Sequence, residues 1–341
     1  MIKTPAHPPR VWIQRIGRVL LLFVPFLLLW WTFRQVSFEQ VWGTIRQVNL
    51  IQLALWLLLN IGLVVMMTGR WWLILQSLGH HLPYLSLTRY RLGSFAVSYF
   101  TPGPQFGGEP VQVLALRQFH GISGTTGTAS VALDKLCELI VNFSFLAFGT
   151  AFALTNVWLS VEWRKPGLII AIGLLAIPLV YLVLMLSGKK PINKLTDHLP
   201  PTMAQNWIIK ALRNVEKEMS VFCINFPQTV FKAIMVSLVL WLFMVFEYWL
   251  MTYALGLRLT LTQTISALVA ARLAFLTPLP AGLGVLEASQ VLAMQTLGLE
   301  PAYGISISLL IRLRDVLFAM VGVFGLLSLI QRQYLLKGEI K

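Results

Sequence analysis

The chain has 341 residues, of which 57% are apolar and only 12% charged, and its mean hydropathy is +0.74. A soluble domain carries about twice that share of charge, so the composition excludes an ordinary globule and points to a polytopic membrane protein. Two cysteines, Cys137 and Cys223, exclude a disulfide scaffold. A net charge of +14 in so apolar a chain reads as basic loops facing anionic lipid, with no nucleic-acid partner expected.

In chain order, the first apolar stretch spans about 16–33. It is longer than a signal-peptide core and runs into Arg34 and Gln35 instead of a small-residue cleavage site, so it predicts a first transmembrane helix with Trp30 and Trp31 at the outer interface. A second runs over 50–75, interrupted at Gly69-Arg70, with Trp71 and Trp72 as another interface pair. Further unbroken runs lie at 124–155, 167–187, 229–255 and 302–331. Each reaches the ~20 residues that cross a hydrocarbon layer. Two other regions, 84–120 and 261–298, are apolar but broken in the middle by Pro and Gly.

Lys and Arg set the orientation. The N-terminus carries Lys3, Arg10, Arg15 and Arg18, the loop after the second helix Arg70, Arg89 and Arg91, and the tail Arg332, Lys337 and Lys341. Segment 188–228 holds Lys189, Lys190, Lys194, Lys210, Arg213 and Lys217. The intervening loops hold less: Arg34, Arg46, Arg164, Lys165 and Arg258. Both termini and 188–228 are therefore expected in the cytoplasm. Region 84–120 must then begin and end inside, and 261–298 must begin and end outside. The predicted fold is an all-α polytopic membrane protein with six full spans and two re-entrant broken hairpins entering from opposite faces. As a single transmembrane domain, 1–341, it divides into a first half 15–187, a cytoplasmic amphipathic linker 188–228 and a second half 229–331.

The two broken regions resemble each other. Thr101-Pro-Gly-Pro leads through Gly107 and Gly108 to Glu109, then Gln112-Val-Leu-Ala115; Thr277-Pro-Leu-Pro leads through Gly282 and Gly284 to Glu287, then Gln290-Val-Leu-Ala293. The following helices match too, Lys135-Leu-Cys-Glu138 with Arg312-Leu-Arg-Asp315, and the offsets stay between 176 and 178 residues. This predicts a duplication. With opposite starting faces the repeats are inverted, as in many transporters. Read alone, the Pro and Gly clusters are also ordinary loop punctuation. Their apolar flanks favour hairpins buried in protein or lining a wet cavity.

Several charges fall where lipid is expected. Lys135 and Glu138 sit at i,i+3 near mid-helix beside Asp134. Arg312 and Asp315 are the equivalent pair with Arg314 adjacent, and Arg272, Glu109, Glu287 and Glu247 complete the set. A charge at the bilayer centre costs about 2.5–3.5 kcal/mol on insertion scales, so these side chains are expected to face inward. Two readings stand for the pairs: braces between the halves, or a polar pathway for a headgroup. The glycine turns precede short helices whose free N–H groups suit a phosphate or carboxylate. Glu109 and Glu287 in the first turns would instead cap those helices, or take a cation, a proton or a sodium ion. Segment 200–222 places Met203, Trp207, Ala211, Val215, Met219 and Phe222 on one stripe, which suits either an interfacial helix or one packed on the base of the bundle.

None of the five histidines stands in an H-E-x-x-H or H-x-x-x-x-D setting, and there is no G-x-S-x-G, Walker A loop or Cys/His metal cluster. No catalytic residue, metal or cofactor is expected.

The motif from Pro102 to Glu109, the charged run Asp134-Lys-Leu-Cys-Glu138 and the motif from Thr277 to Glu287 together resemble the lysylphosphatidylglycerol synthase transmembrane-region family, across about 15–331. The usual pattern has E-R-x-x-D where Asp134 to Glu138 stand, so bidentate Arg contacts are lost at Lys135. The resemblance implies a flippase-like protein of a bacterial-type inner membrane. Full synthases add a cytosolic aminoacyl-transferase domain; the end at Lys341 suggests the lipid-translocating part without it. The expected function is a lipid transporter moving a polar or anionic headgroup between leaflets by alternating access, with membrane lipids as partners, proton or sodium coupling allowed, and oligomers allowed. A non-catalytic scaffold of an envelope lipid-building complex and a lipid-modifying enzyme are the alternatives. Glu109, Glu287, Gly107, Gly108, Gly282, Gly284, Lys135, Glu138, Arg272, Arg312 and Asp315 are expected around one central cavity.

Overall fold

The computed structural model describes Trp30 and residues 38–46, 48–101, 107–155, 161–200 and 206–338. The first predicted span, the Pro102-Gly-Pro104 turn, the loop at 156–160 and Met203 lie outside the described residues. What is described is helical throughout: α1 (Phe38–Arg46), α2 (Leu50–Ser77), α3 (Tyr84–Phe100), α4 (Glu109–His120), α5 (Gly124–Thr155), α6 (Val161–Leu186), α7 (Pro191–Thr196), α8 (Trp207–Asn225), α9 (Pro227–Ala254), α10 (Leu261–Phe275), a 3-10 turn at Pro280–Gly282, α11 (Val285–Thr296) and α12 (Pro301–Gly338).

Among the described residues three helices are long and apolar enough to cross a membrane: α2, α9 and the Leu168–Leu186 part of α6. Helices α5 and α12, 32 and 38 residues long, have the length as well but carry the central charges. The outer faces of α2, α6 and α9 are apolar: Leu58, Ile177 and Leu242 are each more than 60% exposed. Asn60, Arg70, Asp134, Gln290 and Asp315 are buried. Apolar residues outside and polar ones inside are what a hydrocarbon solvent requires.

Local signals set the boundaries. Asn49 caps α2 by accepting from the Ile51 N–H, and Thr260 with Gln263 closes a capping box on α10. Gly121, at φ +67°, ends α4 in the left-handed region. The predicted break at Gly69-Arg70 is absent. Helix α2 runs through it, because Arg70 finds its partners inside the bundle and the missing Cβ of Gly69 leaves room for the Tyr84 hydroxyl. Trp71 is fully buried, with its indole N–H on Ser130, so it is no interface residue.

The packing is mirrored. Helix α2 lies along α9; α3 lies along α12, and α10 along α5; α1 rests on α12, and α8 on α5. Close crossings follow the same scheme. A Cβ on Gly93 of α3 would meet Leu326 of α12 at 2.3 Å, and one on Gly149 of α5 would meet Val269 of α10 at 2.6 Å. Between α2 and α9, Arg70 donates to Ser237 at 2.8 Å and Asn60 donates to Glu247 at 3.1 Å. Position 60 stands to 237, and 70 to 247, at the same offset of 177 residues.

Candidate functional site

The two helix–break–helix units carry the site. In the first, α3 and α4 meet at Gly108. Its N–H donates to Ser98 Oγ at 2.9 Å, and a Cβ there would stand 1.9 Å from the Ser94 carbonyl oxygen, so only glycine fits. Glu109 Oε2 turns back to accept the Gly107 N–H at 2.8 Å. In the second unit Glu287 Oε2 accepts the Gly284 N–H at 2.8 Å. Both acids thus cap their own helices, occupying the Gly107 and Gly284 N–H groups.

The two acids differ in what else they meet. Arg312 forks onto Glu287, Nε to Oε1 at 2.8 Å and Nη2 to Oε2 at 3.2 Å, while its Nη1 donates to the Ala281 carbonyl at 2.7 Å. Ala281, at φ +50°, is held in the left-handed region where alanine is disfavoured, and Arg312 clamps that turn. Glu109, by contrast, stands 3.9 Å from Lys135, whose ammonium donates to Glu138 Oε1 at 2.9 Å. The predicted Arg312–Asp315 pair does not form: Arg312 reaches across to Glu287, and Asp315 accepts from its neighbour Arg314 at 2.9 Å.

Between these units lies a cavity of about 210 Å³. Of the expected residues, Glu109, Lys135, Glu138, Arg272 and Asp315 are on its wall, and so is Ala281 beside Gly282. Glu287, Arg312 and Gly107, Gly108, Gly282 and Gly284 are not: Glu287 is sealed under Arg312, and the glycines form the turns behind the wall.

Three ionic residues, Arg70, Arg91 and Glu247, are misplaced or given too little weight by sequence. Arg70 and Arg91 are not loop charges. Arg70 is 1% exposed and grips Asp134 at 2.7 Å and Glu138 at 3.1 Å, and Arg91 reaches the other Asp134 oxygen at 2.6 Å. Glu247 accepts from the Trp56 indole at 2.6 Å and pairs with Arg314 at 3.3 Å. Arg89 remains near the helix start, where a loop charge was expected. The signal for Arg70 was available in its setting, a lone arginine inside an otherwise apolar run.

Helix α8 keeps the packed reading of its stripe in its second half: Met219, Phe222 and Cys223 are buried, and Glu216 accepts the N–H groups of Ile192 and Asn193 at 2.7 Å. Trp207 at its start is 76% exposed.

Comparison with known proteins fits this architecture. Two archaeal UPF0104 membrane proteins are similar along most of their length. One, from Methanocaldococcus jannaschii, is 20% identical over 329 residues, covering 92% of this chain and 95% of its own. The other, from Pyrococcus horikoshii, is 22% identical over 306 residues, covering 84% and 88%. The profile of the lysylphosphatidylglycerol synthase transmembrane region matches residues 16–322. Long apolar helices, a polar interior and this match over most of the chain establish it as an integral membrane protein that belongs to the lysylphosphatidylglycerol synthase transmembrane-region family.

Proposed function

We propose that the protein is a lipid transporter, moving a polar headgroup between leaflets by alternating access around the central cavity. The observation that carries this reading is the contrast between two corresponding ion pairs. Arg312 and Glu287 are clamped, and Lys135 and Glu109, at matching positions in the other half, stand 3.9 Å apart on the cavity wall. One gate is shut while its counterpart is loose. Exchanging the two states would open the cavity to the other face.

This reading takes the mirrored packing as an inverted repeat. The halves are then 15–187 and 229–331, joined by the cytoplasmic linker 188–228. Six full spans and two re-entrant units, α3–α4 from the cytoplasmic side and α10–α11 from the outer side, complete the topology. Both termini are then cytoplasmic, in an inner-membrane type of bilayer. Chemistry on the lipid is not required: the wall offers charge pairs that can exchange with a headgroup, and a proton or sodium gradient could supply the drive.

Reconstitution tests this reading. Liposomes containing the purified protein and a headgroup-labelled lipid should lose the inner-leaflet pool to an impermeant quencher faster than empty liposomes, with the lipid chemically unchanged. Covalently altered lipid would favour an enzyme. An unchanged rate would favour a scaffold.

A further inference from the structure

The cavity's cations are not equally satisfied. Arg91 and Arg314 have carboxylates within 3.3 Å, and Lys135 has Glu138. Arg272 differs. Its guanidinium lies over the Trp241 ring at 4.8 Å, and Trp241 is itself stacked on Phe145 at 4.1 Å. One arm donates only to the Met244 sulfur at 3.3 Å, and its Nε is buried with no hydrogen-bond partner. Among the described residues no carboxylate comes within ion-pair distance of Arg272. A buried guanidinium donor left unmade is costly unless a ligand completes it. The aromatic slab holds the fork in place, and a fork of this shape matches a phosphate.

The same cavity also presents partly exposed carboxylates. Glu109 lies 3.9 Å from the Lys135 ammonium, which donates to Glu138; Glu138 also accepts from Arg70 at 3.1 Å, and the Glu109 and Glu138 side chains are 26% and 28% exposed. Counting Arg70 behind the wall, the cavity holds five basic and five acidic side chains. An anionic ligand would upset that balance in a poorly solvated space, whereas a ligand with one charge of each sign would not. Apolar residues such as Leu63, Phe95, Phe275 and Phe318 line the remainder, which suits acyl chains beside the headgroup.

We propose that the cavity binds a zwitterionic lipid headgroup containing a phosphate and an amine, the phosphate on Arg272 and the amine at Glu109 and Glu138. This deepens the transport reading above and rests on it for its biological sense, but the binding site can be tested separately.

The test measures binding to the full chain in detergent with three probes: dihexanoyl phosphatidylethanolamine, dihexanoyl phosphatidylglycerol and free phosphoethanolamine. The first should bind most tightly. Arg272→Gln should weaken it by about tenfold, and Arg272→Lys, which keeps the charge without the fork, should fall between. Glu109→Gln should erase the preference for the zwitterion over the glycerol headgroup. The thermal midpoint of each variant identifies any that does not fold, in which case Arg272→Lys and Glu109→Gln carry the test. Phosphatidylglycerol binding as tightly as the zwitterion, or unchanged affinity in Arg272→Gln, would overturn the proposal. Free phosphoethanolamine binding as tightly as the lipid would overturn its lipid part. Zwitterion binding without any movement between leaflets would uphold this site and sink the transport reading; movement without the preference would do the reverse.

Discussion

Arg312 forks onto Glu287 through Nε and Nη2, whereas Lys135, its counterpart, lies 3.9 Å from Glu109. The difference begins in the side chains. A guanidinium can fork onto a carboxylate and still reach the Ala281 carbonyl, while an ammonium is a point charge that settles on Glu138. One unit is thus braced through its strained turn, and the other is left with a looser closure.

Removing one partner of the braced pair should be expensive. Glu287 and Arg312 side chains are only 8% and 15% exposed, and an unpaired buried charge typically costs about 3–5 kcal/mol. Glu287→Gln and Arg312→Met should each lower the thermal midpoint in detergent, and the double variant should lose less than the two added together. Additive losses would show that the pair is not a unit.

Arg70 should behave as a core residue. Arg70→Ala strands Asp134 and Glu138 and removes the Ser237 contact, so a loss of about 3–5 kcal/mol is expected, seen as poor yield of folded protein. Arg89→Ala, on the same stretch of sequence, should leave yield near that of the parent.

Two glycines separate geometry from propensity. At Gly108 a Cβ would strike the Ser94 carbonyl, so Gly108→Ala should push α4 from α3 and cost about 1–3 kcal/mol. Gly62 of α2 has open space around it, and Gly62→Ala should be neutral or stabilise by up to about 1 kcal/mol. Melting curves of the two variants give the comparison.

The topology can be read with single cysteines, since Cys137 and Cys223 are buried. His81→Cys and Gly124→Cys flank α3–α4 and should react only from the cytoplasmic side. Arg258→Cys and Glu300→Cys flank α10–α11 and should react only from outside. Labelling of 81 and 124 from opposite sides would turn the first unit into a plain span.

Much of the helical layout was legible in the sequence, because apolar length and Pro-Gly breaks act locally. The run 124–155 coincides with α5, and the breaks near Gly108 and Gly282 fall where α4 and the 3-10 turn begin. The Lys135–Glu138 pair was legible for the same reason, being one helical turn apart. Long-range choices were not. Arg70 meets Asp134 from 64 residues away, and no periodicity shows that it stays in the helix. Glu109 and Glu287 stand in similar motifs, yet only the reach of the opposing cation decides which one faces the cavity. That Arg272 meets Met244 and Trp241 but no carboxylate among the described residues is a long-range outcome that sequence does not display.

The proposed transport requires the two units to open in alternation, so the clamp at Glu287 and Arg312 would have to release in each cycle. The direct measurement is lipid movement by the double variant Glu287→Cys, Arg312→Cys in liposomes, before and after joining the cysteines with a short bifunctional thiol reagent. The reduced, unjoined protein should move lipid, and joining should stop it, with single-cysteine variants unaffected by the reagent. Undiminished movement with the two positions joined would contradict alternating access through this clamp.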